Sequence, residues 1–107
     1  MPKIKVVYNG CFGGFSLSRA AMQFLANKGL KEAQEVIAEE DFYGYLYDTP
    51  RHHPLLVQAV EVLGDDANGS CANLCVAEIE GNRYIIEEYD GAESVKTPED
   101  IDWVVVK

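Results

Sequence analysis

The sequence predicts an α+β domain: a small, mostly antiparallel sheet of about four strands with two or three helices on one face. Three observations predict it: runs of β-branched and aromatic residues, stretches with apolar residues at helical spacing, and glycine- and proline-rich turns between them. The chain has 107 residues, 48% hydrophobic and 25% charged, which suits one compact core and is too short for two. We therefore expect a single domain over residues 1–107.

The N-terminal third is predicted to run from a strand through a glycine loop into a helix. Residues 3–8 are rich in β-branched and aromatic side chains, which favour a strand. Residues 9–15 contain three glycines, so regular structure must stop there. Apolar residues then recur at helical spacing over 17–25, and Ser16 or Ser18 is placed to cap this helix.

The middle of the chain predicts two further helices. One spans 31–41, and the other begins at Pro54 and closes at Gly64, because proline suits the first position of a helix and glycine its end. Between them, the aromatic segment 42–47 is compatible with a strand or with an ordered loop. The sequence does not decide between a strand and a loop for this segment.

The C-terminal third predicts strands joined by tight turns. The runs 74–79 and 84–89 flank Gly81-Asn82, a pair suited to a hairpin with positive φ. A second turn is predicted at Tyr89-Asp90-Gly91, followed by a capped helical turn over 97–100 and a last strand over 103–106.

The charge distribution limits the classes of partner. The net charge is −9, which argues against broad nucleic-acid coating, since that requires a surplus of basic residues. Residues 1–31 hold five basic residues and no acid, a sum of +5, and residues 32–107 sum to −14. No apolar stretch is long enough for a membrane span and no signal peptide is evident, so we expect an unprocessed cytoplasmic protein with no membrane partner. Its three cysteines are expected to be reduced thiols.

The glycine loop between strand and helix is the strongest candidate for a binding site. Glycines allow backbone N–H groups to approach a ligand closely, and a helix start adds partial positive charge. We assign the site to residues of this loop and the helix start: Asn9, Gly10, Cys11, Gly13, Gly14, Phe15 and Ser16. The spacing matches no nucleotide-binding fingerprint, and a purely structural turn is the alternative.

Arg51-His52-His53 is the clustered basic group in the acidic part of the chain. Arg51 can form two hydrogen bonds with a phosphate, and His52 can donate a third. The alternative is a helix-start turn whose histidines cap backbone groups or face water. We expect Tyr89 to border the pocket, and we expect the surrounding carboxylates Glu87, Glu88, Asp90 and Glu93 to form a solvated hairpin end rather than a metal site.

Four segments of the sequence are YNGCFGGFSLS, RHHPLLVQAVEVLG, ANGSCANL and IIEEYDG. Together they resemble a family of small uncharacterised proteins from bacteriophage, prophage and large-virus genomes. Asn9, Cys11 and the paired glycines match family positions, whereas His53 stands where the family has an acid and the C-terminal tail differs. The resemblance implies a viral setting, hence the cytoplasm of an infected host, and implies no particular reaction.

We therefore expect a non-catalytic protein that binds a small phosphorylated, nucleotide-like ligand, with sequestration of a host defence signal as the biological role. We assign no residue to catalysis, to a metal or to a cofactor. Two alternatives stay open: a module that binds a host protein through an acidic surface, and a small hydrolase or transferase that depends on Cys11 or His52. A homo-oligomer is compatible with so small a domain, because subunit interfaces deepen pockets.

Overall fold

In a computed structural model that describes residues 3–38, 44–81 and 83–98, the chain forms three α-helices and four strands. In chain order the elements are β1 (Lys3–Asn9), α1 (Arg19–Asn27), α2 (Lys31–Ile37), α3 (Pro54–Leu63), a 3-10 helix (Gly64–Ala67), β2 (Leu74–Glu80), β3 (Ile85–Tyr89) and β4 (Ala92–Lys96). This content confirms the predicted α+β class.

The ends of α1 and α3 follow the capping signals of the sequence. Ser18 precedes α1, and its Oγ accepts a hydrogen bond of 3.1 Å from the backbone N–H of Ala21. Pro54 is the first residue of α3, as predicted, and the Nδ1 of His53 accepts from the backbone N–H of Leu55 at 3.1 Å. Each cap satisfies one of the N–H groups that a helix start leaves without an internal partner.

The strands form two antiparallel two-stranded sheets instead of one four-stranded sheet. β1 pairs with β2 from Lys3↔Glu80 to Asn9↔Leu74, and β3 pairs with β4. The predicted hairpin between 74–79 and 84–89 is therefore wrong, because these runs belong to different sheets of the described chain; Asn82 itself lies outside the described residues. The tight turn lies at Asp90-Gly91, where both φ angles are positive, at 53° and 91°.

Side chains and loop backbone occupy the outer edge of β1, which is why β3 and β4 do not extend its sheet. The N–H of Val7 donates to the carbonyl of Arg51 at 2.9 Å, and the N–H of Asn9 donates to a carboxylate oxygen of Glu93 at 2.8 Å. The β3–β4 hairpin therefore meets β1 through a glutamate side chain and not through a ladder of backbone hydrogen bonds.

The main core lies between the β1–β2 sheet and the helices. α3 packs against β1 and β2, and α1 packs against α3 and α2. This arrangement buries the apolar stripes that the helical spacing predicted. The core includes Val7, Leu17, Met22, Leu25, Val36, Leu56 and Leu74.

Some sequence-based expectations concern segments that the structure describes only in part. Residues 44–47 of the aromatic segment form an ordered loop without strand pairing, and α2 ends at Ile37. The predicted strand over 103–106 and most of the helical turn over 97–100 lie outside the described residues. Within the described ranges, no helix is long and apolar enough to cross a membrane.

Candidate functional site

Asn9 holds together the end of β1, the glycine loop, the start of β2 and the β3–β4 turn. Its side chain is fully buried, and its Nδ2 donates to the carbonyls of Cys11 at 2.7 Å and Gly91 at 2.8 Å. Its Oδ1 accepts from the backbone N–H of Asn73 at 2.9 Å. A buried amide with its donors and acceptor satisfied in this way fixes the relative positions of four chain segments.

The glycine loop is packed against other backbone on two sides. A Cβ on Gly91 would lie 2.5 Å from the backbone nitrogen of Gly14, and a Cβ on Gly13 would overlap the carbonyl of Cys71. Gly14 and Gly91 also have φ angles of 92° and 91°, which favour glycine. The β3–β4 turn therefore lies directly over Gly13 and Gly14, where the sequence predicted access for an anion.

Arg51 lies beside this loop, but its guanidinium holds a carboxylate of the same chain. Nη1 and Nη2 donate to the two oxygens of Glu93 at 2.6 and 3.0 Å, with side-chain exposures of 14% for Arg51 and 9% for Glu93. The guanidinium also lies 3.7 Å from the ring centroid of Phe15. Burial lowers the pKa of Arg51, but the hydrogen bonds and charge of Glu93 outweigh it and raise the pKa above its ordinary value.

Glu93 thus takes the place that the sequence assigned to a ligand's anionic group. Its carboxylate receives both arms of Arg51 and the backbone N–H of Asn9. The expectation that Glu93 belongs to a solvated hairpin end is wrong, because its side chain is among the most buried charged groups of the described chain. Nothing in the local sequence distinguishes Glu93 from its exposed neighbours Glu87 and Glu88, so the burial of Glu93 could not be predicted from that sequence.

Six of the predicted site residues meet in this cluster: Asn9, Cys11, Gly13, Gly14, Phe15 and Arg51. Gly10 lies at its edge and donates its N–H to the carbonyl of Asn73 at 2.8 Å. His52, Ser16 and Tyr89 are engaged elsewhere. His52 is exposed, and its Nδ1 lies 2.7 Å from the hydroxyl of Tyr84, whose pKa is raised by burial.

The thiol of Cys11 is used as a hydrogen-bond donor within the loop. Its Sγ donates to the carbonyl of Cys71 at 2.9 Å and lies 3.5 Å from Oδ1 of Asn9. The hydrogen-bond partner of His52 is Tyr84 and that of His53 is Leu55. Among the described residues, these contacts do not join Cys11 to either histidine.

Ser16 lines a separate cleft at the start of α1, which we call the α1 pocket. Its volume is about 400 Å³, and it is lined by Ser16, Leu17, Ser18, Arg19, Asn68, Gly69 and Ser70. Gly69 donates its N–H to the carbonyl of Ser16 at 2.9 Å, and this bond holds residues 68–70 against the segment that precedes the helix. The first turn of α1 contains no acidic residue.

Tyr89 lines a second cleft, which we call the hairpin groove. Its volume is about 520 Å³, and it is lined by Phe12, Glu87, Glu88, Tyr89, Ala92, Glu93 and Ser94. Phe12 and Tyr89 are 69% and 79% exposed, so two aromatic rings stand in solvent beside carboxylates. The sequence predicts Tyr89 as a pocket residue but not Phe12, which lies between Gly10 and Gly13 of the glycine loop.

No family model matches the chain, and neither the curated proteins nor the solved structures contain a match to it. The resemblance to viral and phage proteins therefore stays a prediction.

Proposed function

We propose that the protein binds a small phosphorylated ligand without catalysis, and that the ligand's phosphate lies in the α1 pocket. The observation that carries this proposal is the composition of the cleft: an arginine, the hydroxyls of Ser16 and Ser70 and the start of a nine-residue helix line one cavity. Phosphate accepts hydrogen bonds from all three kinds of group, and the partial positive charge of the helix start favours an anion.

The proposal changes which arginine binds the phosphate. Arg19 is the first residue of α1, has an exposed side chain and lines the pocket. Arg51, whose guanidinium pairs with Glu93 and stacks on Phe15, does not line it. Arg19 also belongs to the carboxylate-free segment 1–31, where the local charge is positive. The pocket volume of about 400 Å³ lies within the range of small-molecule sites.

Isothermal titration with inorganic phosphate and a panel of linear and cyclic nucleotides tests the proposal. We expect R19A to weaken binding of the best ligand by about tenfold or more, the loss expected for a charge-assisted hydrogen bond. The matched control is K28A, which removes the same charge from the other end of α1. Absence of binding to every member of the panel, or equal losses in R19A and K28A, contradicts the proposal.

A further inference from the structure

The β3–β4 hairpin has one face directed toward the body of the protein and one toward solvent. In the β3–β4 register, Glu93 of β4 and the half-buried Ile86 of β3 lie on the face that Arg51 contacts. Ile85, Glu87 and Tyr89 alternate with these residues and so project from the other face. Ile85 and Tyr89 are accordingly 52% and 79% exposed.

Exposed apolar groups are concentrated at this hairpin. Phe12 from the glycine loop lines the same groove as Tyr89, so two large rings are open to solvent at one site. Contiguous apolar surface of this kind, rimmed by polar residues, marks interaction sites more often than scattered single side chains do. The groove is thus a candidate interaction surface, separate from the α1 pocket in its lining residues.

The charge of the groove selects the kind of partner. Glu87 and Glu88 are exposed and line it, and Asp90 is exposed in the adjoining turn. Glu87 makes no hydrogen bond or ion pair with another residue that the structure describes. Residues 32–107 carry a net −14, so the surrounding field also attracts cations.

The buried cluster shows which cation fits such a combination. There, one guanidinium lies 3.7 Å from the ring centroid of Phe15 and forms two hydrogen bonds with the carboxylate of Glu93. A planar guanidinium can stack on a ring and bind a carboxylate at the same time, which a compact ammonium group does less well. The hairpin groove offers the same two groups, an aromatic ring and a glutamate, on the surface.

We propose that the hairpin groove binds an arginine-containing segment of another polypeptide, with the guanidinium stacked on Tyr89 and paired with Glu87. The partner is a basic segment rather than an acidic or neutral one. This proposal is independent of the anion site, since it uses none of the residues that line the α1 pocket.

Titration of the full chain with a capped alternating Gly-Arg peptide at low salt tests the proposal, with the corresponding Gly-Lys peptide as the comparison ligand. We expect the arginine peptide to bind more tightly, and we expect Y89A to weaken its binding by about tenfold. Y89F retains the ring and is expected to bind like the wild type. E87Q is expected to weaken binding and to reduce its dependence on salt.

Two controls are matched to these variants. Y47A removes another aromatic side chain with similar exposure, 76%, and D65N removes an exposed carboxylate outside the groove; both are expected to leave binding unchanged. Equal binding by wild type and Y89A, equal loss in Y89F and Y89A, or equal affinity for the two peptides overturns the proposal. Light scattering after gel filtration tests whether a second copy of the chain occupies the groove. A dimer that Y89A abolishes would assign the groove to that second copy and would also overturn the proposal.

Discussion

At the scale of single residues, the fold depends on a few polar side chains that bind backbone from several segments. Asn9 joins four segments. Glu32 similarly joins α2 to residues 47–49. The Glu32 carboxylate accepts from the backbone N–H groups of Tyr47 and Asp48 at 2.7 and 2.9 Å and from Thr49 Oγ1 at 2.6 Å. Through these bonds, α2 holds the loop that leads to Arg51.

Substitution of Gly91 tests the close packing between the β3–β4 turn and the glycine loop. We expect G91A to lower the free energy of unfolding by about 2–4 kcal/mol, because alanine disfavours positive φ and its Cβ lies against backbone. G29A is the matched control: Gly29 has a φ of 95°, but a Cβ there meets nothing within 4 Å, so only about 1 kcal/mol is expected. Equal losses in urea denaturation contradict the packing argument.

The loop contacts of Glu32 predict a pH dependence. Burial raises the pKa of Glu32, but the hydrogen bonds from Thr49, Asp48 and Tyr47 outweigh it and bring the pKa below its ordinary value. The unfolded pKa is about 4.3, so the stabilisation is complete above that pH and is lost as the pH falls through the folded-state pKa. Urea midpoints of E32Q should therefore fall less steeply than those of the wild type between about pH 5 and pH 3.

The control for this experiment is E35Q, which removes a carboxylate of the same helix without removing a hydrogen bond to the loop. Its midpoints should follow the wild-type slope. Parallel slopes for E32Q and the wild type would show that the loop contacts do not control the acid response.

At the scale of elements, the β3–β4 hairpin is attached to the body of the protein by side chains. The Arg51–Glu93 pair and the two contacts of Asn9 connect it to β1, whose outer edge would otherwise expose unpaired N–H groups. The carboxylate of Glu93 and the carbonyl of Arg51 accept hydrogen bonds from N–H groups on this edge of β1, so no third strand is required to satisfy them. This explains why four strands form two sheets.

Removal of the Glu93 charge tests this attachment. We expect E93Q to lower the free energy of unfolding by about 3 kcal/mol, because the guanidinium of Arg51 is then left buried without a counter-charge. Backbone hydrogen exchange should accelerate in β3 and β4 more than in β1 and β2. E61Q breaks the exposed Lys5–Glu61 pair, with side-chain exposures of 45% and 44%, and should leave the urea midpoint nearly unchanged.

Local signals predicted the helices better than the strand pairing. Ser18 and Pro54 mark the starts of α1 and α3, because a cap acts through atoms a few residues away. The prediction of a hairpin at Gly81-Asn82 was wrong for two reasons. Asp90-Gly91 is an equally good turn sequence, and β2 pairs with β1, which is distant in the sequence. Pairing between strands that are distant in the sequence cannot be predicted from a short window of residues.

At the scale of the whole molecule, charge is separated along the chain, with +5 in residues 1–31 and −14 in the remainder. The α1 pocket belongs in part to the first segment, and the hairpin groove belongs mostly to the second. The chain therefore presents an arginine-lined cleft and an acidic aromatic groove. The two proposed sites accordingly select ligands of opposite charge.

The net charge of −9 predicts that salt stabilises the folded chain. Raising NaCl shortens the screening length from about 10 Å at 0.1 M to about 3 Å at 1 M, which weakens repulsion among the carboxylates. We expect the urea midpoint to rise over this range. The double variant D65N/D66N, which removes two exposed carboxylates, should show a smaller rise, and a midpoint that falls with salt would contradict the prediction.

The sequence by itself determined the α+β class and the starts of two helices. These properties follow from composition, periodicity and capping, which are local. Only the tertiary structure decided that the anion beside Arg51 is Glu93 and that β3 and β4 form their own sheet. The reason is that a buried ion pair forms between groups that are far apart in the sequence and are desolvated together only in the folded chain. The sequence therefore does not show which glutamate is buried and which are exposed.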